Sequence, residues 1–224
     1  MPTKVRVMVG GMVYHVLNRA NGRMRPFEDR GDYQAFLRVL SEAHEQVAMR
    51  TIDFAVMPNH WHLVLWPRED GDLPAFMHWL SLTHSKRWHG AHGTTGRGHI
   101  YQGRYRSFPV EEDQHYLRVC RYVQRNALRA GLVARAEDWQ WSSLWARTHH
   151  HAETLAFLSD GPRAWPDGWL DMVNSDENTD ETDAIRTCIS RRSPFGNPQW
   201  AALTAERLGL TSTLRPRGRP RKNG

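Results

Sequence analysis

The sequence predicts an α+β protein in which helices pack on an antiparallel sheet. Short runs rich in β-branched and aromatic residues alternate with segments whose apolar residues recur at helical spacing. Two of these runs are separated only by Pro58 and Asn59, a connection typical of a hairpin between antiparallel strands. At 224 residues, the chain is long enough for one sizeable core with an appendage, or for two small domains.

Three strands and one helix are predicted in the first part of the chain. Residues 11–19, GMVYHVLNR, are rich in β-branched and aromatic side chains and predict a strand. From Asp32 to about Met49, apolar residues recur at helical spacing and predict a helix. The runs TIDFAVM at 51–57 and HWHLVLW at 60–66 predict the two strands of the hairpin.

The following segment completes the pattern. A second helix is predicted from Leu73 to about Trp88, a short strand at 106–110, and a third helix at 113–129 with Gly131 as its C-terminal cap. The resulting order, β-α-β-β-α-β and then a further helix, is the split βαβ pattern of a ferredoxin-like sandwich. We therefore expect an antiparallel sheet with helices packed on it.

The chain is predicted to divide into three regions, 1–147, 148–192 and 193–224. Residues 167–183 contain seven acidic residues and no Lys or Arg, so we interpret the middle region as an acidic linker with a helical extension. A short helix is predicted from about Pro198, and the chain ends in the basic sequence RPRGRPRKNG. The histidines at 149–151 are interpreted as surface residues.

The charge of the chain indicates a polyanionic partner. A net charge of +6 and an isoelectric point near 9.7 favour nucleic acid over a membrane surface. No stretch approaches the roughly 20 apolar residues that cross a bilayer, and no clear signal peptide precedes the core. The two cysteines are far apart and argue against a disulfide scaffold or a thiolate zinc site. We expect a cytoplasmic protein.

Two histidines, His60 and His62, lie one residue apart in the predicted strand 60–66. Side chains alternate between the faces of a strand, so both imidazoles point one way and Trp61 points the other. They are then close enough to share one metal ion. Such a pair alone is more often structural, so further ligands have to come from a neighbouring element.

The third predicted helix offers a phenol and an amide. Tyr122 and Asn126 are four residues apart and share a helix face. Alone, each residue reads as ordinary: a core tyrosine and a polar group near a helix end. Together with the histidine pair they form a set with coherent chemistry, since a divalent ion polarises a phosphodiester and lowers the barrier to phenolate attack.

The chain resembles the HUH single-tyrosine transposases, and more closely the bacterial REP-associated tyrosine transposases. The similarity covers residues 11–146, with motifs in the same order and with similar gaps. It is carried by the segments HVLNR, MPNHWHLVL, GRYRSFPV, YLRVCRYVQRNALRAGLV and DWQWSS. The chain departs from the usual pattern at Ala127, where a proline is common; this loses a helix-ending signal but no ligand.

The resemblance implies a catalytic domain at 1–147 with a His-hydrophobic-His metal site. By position, His60 and His62 match the histidine pair, Asn126 the third metal ligand and Tyr122 the nucleophile. Tyr116, six residues upstream on a different helix face, is the rival nucleophile. The implied reaction is cleavage of single-stranded DNA through a 5′-phosphotyrosine, followed by strand transfer. The implied cofactor is Mg²⁺ or Mn²⁺ rather than zinc.

Several residues are expected to contact DNA. Arg118, Arg121, Arg125 and Arg129 form a stripe beside the tyrosine face, although a solvated helix face is an equal interpretation. Tyr101 and Tyr105 could stack bases or pack in the core. The tail contains an AT-hook-like element suited to a narrow minor groove, with a generic basic tail as the alternative. The residues expected to bind DNA are Asn18, Arg19, Arg104, Arg106, Arg118, Arg121, Arg125, Arg217, Gly218, Arg219 and Pro220.

The expected function is metal-dependent cleavage and strand transfer on DNA at hairpin-forming repeats. A non-catalytic DNA-binding protein on the same fold, and a metal-dependent nuclease that uses water, are the alternatives. The partner is single-stranded or hairpin DNA at the bacterial nucleoid, without a membrane, and the chain is a monomer or a homodimer.

Overall fold

A four-stranded antiparallel sheet with the order β2-β3-β1-β4 forms the centre of the computed structural model, which describes residues 7–22 and 24–215. The strands are β1 (Val13–Arg19), β2 (Met49–Met57), β3 (His60–Pro67) and β4 (Arg106–Val110). This order, with every pair antiparallel, is the ferredoxin-like arrangement that the sequence predicts. Met57 pairs with His60, so the β2–β3 hairpin turns on Pro58 and Asn59 as expected.

Helices connect and cover the sheet. Helix α1 begins with a capping box, in which the Asp29 side chain accepts from the Asp32 amide and Asp32 reaches back. The helices are α1 (Arg30–Gln46), α2 (Asp72–Ala91), α3 (Gln114–Gln124), α4 (Asn126–Arg129), α5 (Ser143–Thr148), α6 (Ala152–Leu155), α7 (Trp169–Asn174), α8 (Thr179–Arg191), α9 (Pro198–Arg207) and α10 (Thr211–Leu214), with a 3₁₀ turn at Ala136–Asp138.

The sheet is covered on both faces. On one face, Tyr14, Val16 and Trp61 pack against α1 and α2 in the larger apolar cluster. On the other face, Val64 and Phe108 join a second cluster with α3, α5, α7 and α8. Side chains alternate along a strand. The β1 and β3 residues that lie between those of the first cluster therefore point to the opposite face, towards α3.

The third predicted helix is interrupted. Helix α3 ends at Gln124 and α4 begins at Asn126, with Arg125 between them at φ −81° and ψ −2°. The chain therefore stays close to helical geometry across the break. Gly131, at φ +67°, then ends the helix as predicted: its amide donates to the Leu128 carbonyl, and the Leu132 amide donates to the Ala127 carbonyl.

The acidic segment 167–183 is more than a linker, since it contains α7 and the start of α8, although most of its residues are solvent-exposed. Trp169 and Val173 of α7, and Ile185 and Cys188 of α8, are buried in the cluster on the α3 face of the sheet. Trp169 and Val173 lie between the acidic residues of the segment, and Ile185 and Cys188 follow them, so composition hid an amphipathic pattern. The boundaries at 147/148 and 192/193 stay predictions.

The segment after α8 forms backbone hydrogen bonds with the end of strand β4. The Phe195 amide donates to the Pro109 carbonyl at 2.9 Å, and the Glu111 amide donates to the Phe195 carbonyl at 2.9 Å. Helix α9 begins with Asn197 as its N-cap and Pro198 in its first turn, as the sequence predicts. Among the residues described, no helix has the length and apolar character needed to cross a membrane.

Candidate active site

The two histidines of β3 lie on the α3 face of the sheet, with ring centroids 5.0 Å apart. Trp61 between them is fully buried on the opposite face. The alternation read from the sequence therefore places both imidazoles as predicted. His62 is buried, and His60 is partly exposed at the end of the strand.

Each imidazole has an outer hydrogen-bond partner on its Nδ1 atom. His60 Nδ1 is 2.7 Å from the side-chain oxygen of Asn59, and His62 Nδ1 is 2.8 Å from His15 Nε2. The Nε2 atoms of both rings are consequently the nitrogens left for a cation. His15 and Asn59 were not singled out in the sequence, although alternation along β1 puts His15 on the histidine face.

Tyr122 and Asn126 reach the same face from α3 and α4. The Tyr122 ring is 5.7 Å from the His62 ring, centroid to centroid, in an edge-on arrangement. The Asn126 side chain is in hydrogen-bonding contact with His60. The structure thus brings together within one chain the four residues that the sequence selects as nucleophile and metal ligands.

The chemistry of this donor set fits a divalent cation. Burial is the main cause that lowers the pKa of His60, to about 4, and the charge of Arg19 adds to it. Burial also lowers the pKa of His62 well below its usual value, with smaller effects of His60 and His15. Both imidazoles are therefore neutral at pH 7, which a metal ligand requires, and Asn126 adds an amide oxygen of the kind that Mg²⁺ and Mn²⁺ accept.

Two arginines face the Tyr122 side chain. The guanidinium of Arg129 lies 4.2 Å from the centre of the phenol ring, and Arg186 of α8 is in hydrogen-bonding contact with the phenol. Burial raises the pKa of Tyr122, and the charges of both arginines oppose that rise. Arg186 was missed in the sequence because it lies 64 residues from Tyr122 along the chain, in the acidic region.

The rival nucleophile, Tyr116, does not share this site. It is fully buried among Ile52, Cys120 and Gly161, where a side chain at Gly161 would collide with the phenol. Burial strongly raises the pKa of Tyr116, and the nearby Cys120 and Asp53 raise it further. The helix-face difference predicted from the six-residue spacing accounts for this separation.

A second group of potential metal ligands, Glu111, Asp113 and His115, lies elsewhere. Val110 pairs with Val13, whereas His62 pairs with Leu17, so the group is about 13 Å or more along the sheet from the histidines. Both Glu111 carboxylate oxygens accept hydrogen bonds from Asn197, and Asp113 caps α3. These contacts give the group a structural role.

The predicted arginine stripe is not an open surface. Arg118 and Arg129 form ion pairs with Glu181 and Glu177, respectively. Arg121 donates to the carbonyls of residues 172, 175 and 176, and Arg125 donates to the Val173 carbonyl. In this structure α8 and the segment 172–176 therefore contact the stripe, and DNA binding by Arg118, Arg121 and Arg125 stays a prediction.

Arg19, Arg104 and Arg106 are exposed and form no ion pair within residues 7–22 and 24–215. Arg19 ends β1 beside His60, and Arg106 pairs with Leu17. Burial is the main cause that lowers the pKa of Arg192, and the nearby charges of Arg106 and Arg104 lower it further. Arg192 was not selected from the sequence.

Two predictions concern the other face of the sheet. Asn18 is buried there, with its side-chain oxygen accepting from the Arg19 amide, and with Arg104 it lines a cavity of about 780 Å³ beside α2. Tyr101 is a core residue whose hydroxyl accepts from Trp61 Nε1 and contacts His84. Arg217, Gly218, Arg219 and Pro220 lie outside the described residues.

A comparison with family models identifies the chain. Residues 8–126 match the model described as "Transposase IS200 like". This match covers more than half of the 224 residues, so the chain belongs to the IS200-like transposase family.

Two solved structures are similar to the chain, and the first of them supports the fold. The structure of a REP-associated tyrosine transposase bound to a REP hairpin matches with a TM-score of 0.53 and 19% identity, over 75% of this chain and 94% of that one. A putative transposase from Deinococcus radiodurans R1 matches with a TM-score of 0.40 and 19% identity, over 58% of this chain and 97% of that one. A search of the curated proteins gives no match.

Proposed function

We propose that this transposase cleaves and rejoins single-stranded DNA at hairpin-forming, REP-like repeats, with Tyr122 as the nucleophile. The observation that carries the proposal is the meeting of the Tyr122 phenol with His60, His62 and Asn126 on one face of the sheet. The REP hairpin in the structure with the same fold supports the class of DNA.

The four side chains divide the work between holding a cation and attacking phosphorus. His60, His62 and Asn126 would hold Mg²⁺ or Mn²⁺, which when bound withdraws charge from the scissile phosphate. The Tyr122 oxygen attacks phosphorus as the phenol gives up its proton. The 3′ oxygen leaves and takes up a proton, which gives a 5′-phosphotyrosine and a free 3′-OH. Attack by another 3′-OH reverses the step and joins strands.

Arg129 and Arg186 favour the attacking form of the tyrosine. A phenol in an apolar site ionises with difficulty, and both guanidinium groups face the ring or hydroxyl of Tyr122. Their positive charge therefore stabilises the phenolate. The same groups are placed to meet the negative charge of the phosphate as the oxygen approaches it.

The path of the DNA follows the arginines that carry no ion pair. Arg19, Arg104 and Arg106 lie on or beside the strands β1 and β4 that flank the site, and Arg192 joins them from the end of α8. We assign phosphate contacts to these residues and a further contact to the tail at Arg217, Gly218, Arg219 and Pro220. Since tyrosine and ligands meet in one chain, a monomer acts in cis. The substrate places the protein at the nucleoid, in the cytoplasm.

The test is covalent capture of a labelled hairpin oligonucleotide. The wild-type protein with Mn²⁺ is expected to form a protein–DNA adduct that survives SDS, and EDTA is expected to abolish it. Tyr122→Phe should bind the hairpin with unchanged affinity and form no adduct, whereas Tyr116→Phe, the matched control on the same helix, should form it. His62→Ala should bind DNA and fail to cleave.

The outcomes separate the alternatives. If Tyr122→Phe cleaves as fast as the wild type, water is the nucleophile and the protein is a metal-dependent nuclease. If the wild type binds hairpins but cleaves none with Mg²⁺ or Mn²⁺, the chain is a DNA-binding protein on a transposase fold. If cleavage is lost in Tyr116→Phe and kept in Tyr122→Phe, then Tyr116 is the nucleophile and the proposal is wrong.

A further inference from the structure

Two side chains outside the catalytic set, His15 and Asn59, contact the outer nitrogens of the two histidines. We propose that they are positioning residues that hold His60 and His62 as Nδ1–H tautomers, so that both Nε2 lone pairs face the cation. The inference rests on the proposed function, since it concerns the same site. It assigns a role to a β1 residue and a hairpin-turn residue that the catalytic motif does not include.

The chemistry of Asn59 fixes the tautomer of His60. A neutral imidazole carries one N–H and one lone pair. The Asn59 atom 2.7 Å from His60 Nδ1 is the side-chain oxygen, which can only accept. The hydrogen of His60 is therefore on Nδ1, and the lone pair is on Nε2.

His15 leaves two possibilities for His62, and cation binding selects one of them. Of the facing atoms, His15 Nε2 and His62 Nδ1, 2.8 Å apart, one must donate to the other. If His15 were the donor, His62 would carry its hydrogen on Nε2 and could not bind a metal there. His62 therefore donates from Nδ1 and His15 accepts, which is the arrangement of outer partners that orients metal-bound imidazoles in proteins.

The fold holds His15 in place for this contact. His15 is 1% exposed, and its ring packs 4.9 Å from that of Phe108, centroid to centroid. In the β1–β3 ladder, His62 pairs with Leu17, so His15 is its diagonal neighbour on the same face, within reach of a long side chain. The strand register thus places a hydrogen-bond acceptor, His15 Nε2, next to the Nδ1 atom of the metal ligand His62.

The tautomers can be read directly in the wild-type protein. Long-range ¹H–¹⁵N spectra of protein labelled on histidine nitrogen distinguish Nδ1–H from Nε2–H rings, and His60→Ala and His62→Ala identify the signals by their loss. We expect Nδ1–H for both rings at pH 7 with diamagnetic Mg²⁺ bound. An Nε2–H signal from His62 would overturn the role of His15, and one from His60 would overturn that of Asn59.

The second test measures Mn²⁺ affinity by electron paramagnetic resonance, without DNA or turnover. His15→Leu, which removes the acceptor, is expected to weaken binding by roughly 10- to 100-fold, as for other outer partners of metal ligands. His15→Gln, whose amide oxygen can take the place of Nε2, should restore most of the affinity. The matched control is His84→Gln, since His84 is also buried but lies against Tyr101 on the other face.

Failure of the inference and of the proposed function give different results. If His62→Ala still binds Mn²⁺ with wild-type affinity, the ion does not bind at the proposed metal site, and the proposed function is contradicted. Binding that is lost in His62→Ala but unchanged in His15→Leu would leave the site intact and exclude His15 from positioning. Should His15→Leu not fold, the wild-type tautomers and the His15→Gln affinity still decide, because the inference requires Nδ1–H at His62 and near-normal binding by the glutamine variant.

Discussion

Tyr122 shows how much of a catalytic geometry is readable at the level of single residues. Strand alternation places His60 with His62, and helical spacing places Asn126 with Tyr122, despite the break at Arg125. What the sequence could not show is His15, because its contact depends on the register between β1 and β3. Register is set by many pairings at once and is not visible in one strand.

Asp53 is a buried carboxyl group whose protonation is linked to folding. It accepts from Gln124 Nε2 at 2.7 Å and contacts Ser143. Burial is the main cause that raises its pKa to about 7, against smaller opposing effects of Ser143 and Arg147. The folded state thus holds a proton between about pH 4 and 7 that the unfolded state has lost, so this group's stabilising contribution falls as the pH rises through that window.

Asp53→Asn should remove this dependence. The asparagine can accept from Gln124 and donate to Ser143, so the network survives without the charge. We expect the variant to gain stability relative to the wild type as the pH rises from 5 to 8, by up to about 1.4 kcal/mol per unit of pKa difference. Urea unfolding followed by tryptophan fluorescence at each pH measures the difference.

The comparison has to be made against the wild type at the same pH. Buried histidines with lowered pKa values, such as His15 and His84, make the folded state more stable as the pH rises. In the wild type alone, this trend masks the opposite contribution of Asp53 to the free energy of unfolding. Asp160→Asn, at an exposed position, is the control and should leave the pH profile unchanged. A difference between Asp53→Asn and the wild type that is constant from pH 5 to 8 would contradict the account.

At the level of elements, α8 and the loop before it are held on α3 and α4 by ion pairs of unequal burial. Arg129 and Glu177 form a bidentate pair with side chains 16% and 20% exposed, whereas Arg118 and Glu181 are 41% and 31% exposed. Solvent screens the second pair more strongly. The first pair also holds Arg129 over the Tyr122 ring.

A double-mutant cycle tests this difference. Arg129→Gln and Glu177→Gln should show a coupling energy of about 1–3 kcal/mol in urea unfolding, since one partner alone leaves a poorly solvated charge. The matched cycle with Arg118→Gln and Glu181→Gln should give less than about 1 kcal/mol. Equal coupling in both cycles would mean that burial does not decide the strength of these contacts.

The elements also mark where prediction from sequence stops. All four strands and the helices of the first 129 residues follow from short-range patterns, with shifts of a few residues at their ends and one predicted helix divided into α3 and α4. The acidic segment was misinterpreted because Glu177 and Glu181 are neutralised by arginines about 50 and 60 residues earlier in the chain. Composition within one window cannot show such partners.

On the scale of the whole molecule, charge is distributed unevenly. Glu177 and Glu181, in and just before α8, pair with Arg129 and Arg118, whereas Arg19, Arg104, Arg106 and Arg192 are exposed and form no ion pair among the residues that the structure describes. The net charge of +6 is therefore consistent with DNA binding but does not show which surface of the molecule binds DNA. Only the folded arrangement separates paired from unpaired arginines.

The basic tail is expected to contribute affinity rather than chemistry. Removing residues 216–224 deletes the cations Arg217, Arg219, Arg221 and Lys222. The slope of log affinity against log salt should then shrink by up to about 3–4, as for the loss of four phosphate contacts. Cleavage of hairpin that is already bound should continue at the wild-type rate, measured in single-turnover assays.

A charge-preserving variant separates the two interpretations of the tail. With Arg217→Lys and Arg219→Lys, minor-groove recognition predicts a loss of preference for A·T-rich over G·C-rich duplex DNA. A tail held only by phosphates predicts unchanged affinity for both duplexes. Truncation that leaves the salt slope unaltered would exclude the tail from DNA binding altogether.

The most direct measurement is the mass of the peptide that carries the DNA after covalent capture. Trypsin separates the two candidate nucleophiles, since Tyr122 lies in the peptide 122–125 and Tyr116 in the peptide 107–118. The nucleotide mass is expected on 122–125, with a free 3′-OH on the released strand. Nucleotide on 107–118, or a cleaved strand with no nucleotide on either peptide, would contradict the central claim that the Tyr122 phenol attacks beside the His60–His62 pair.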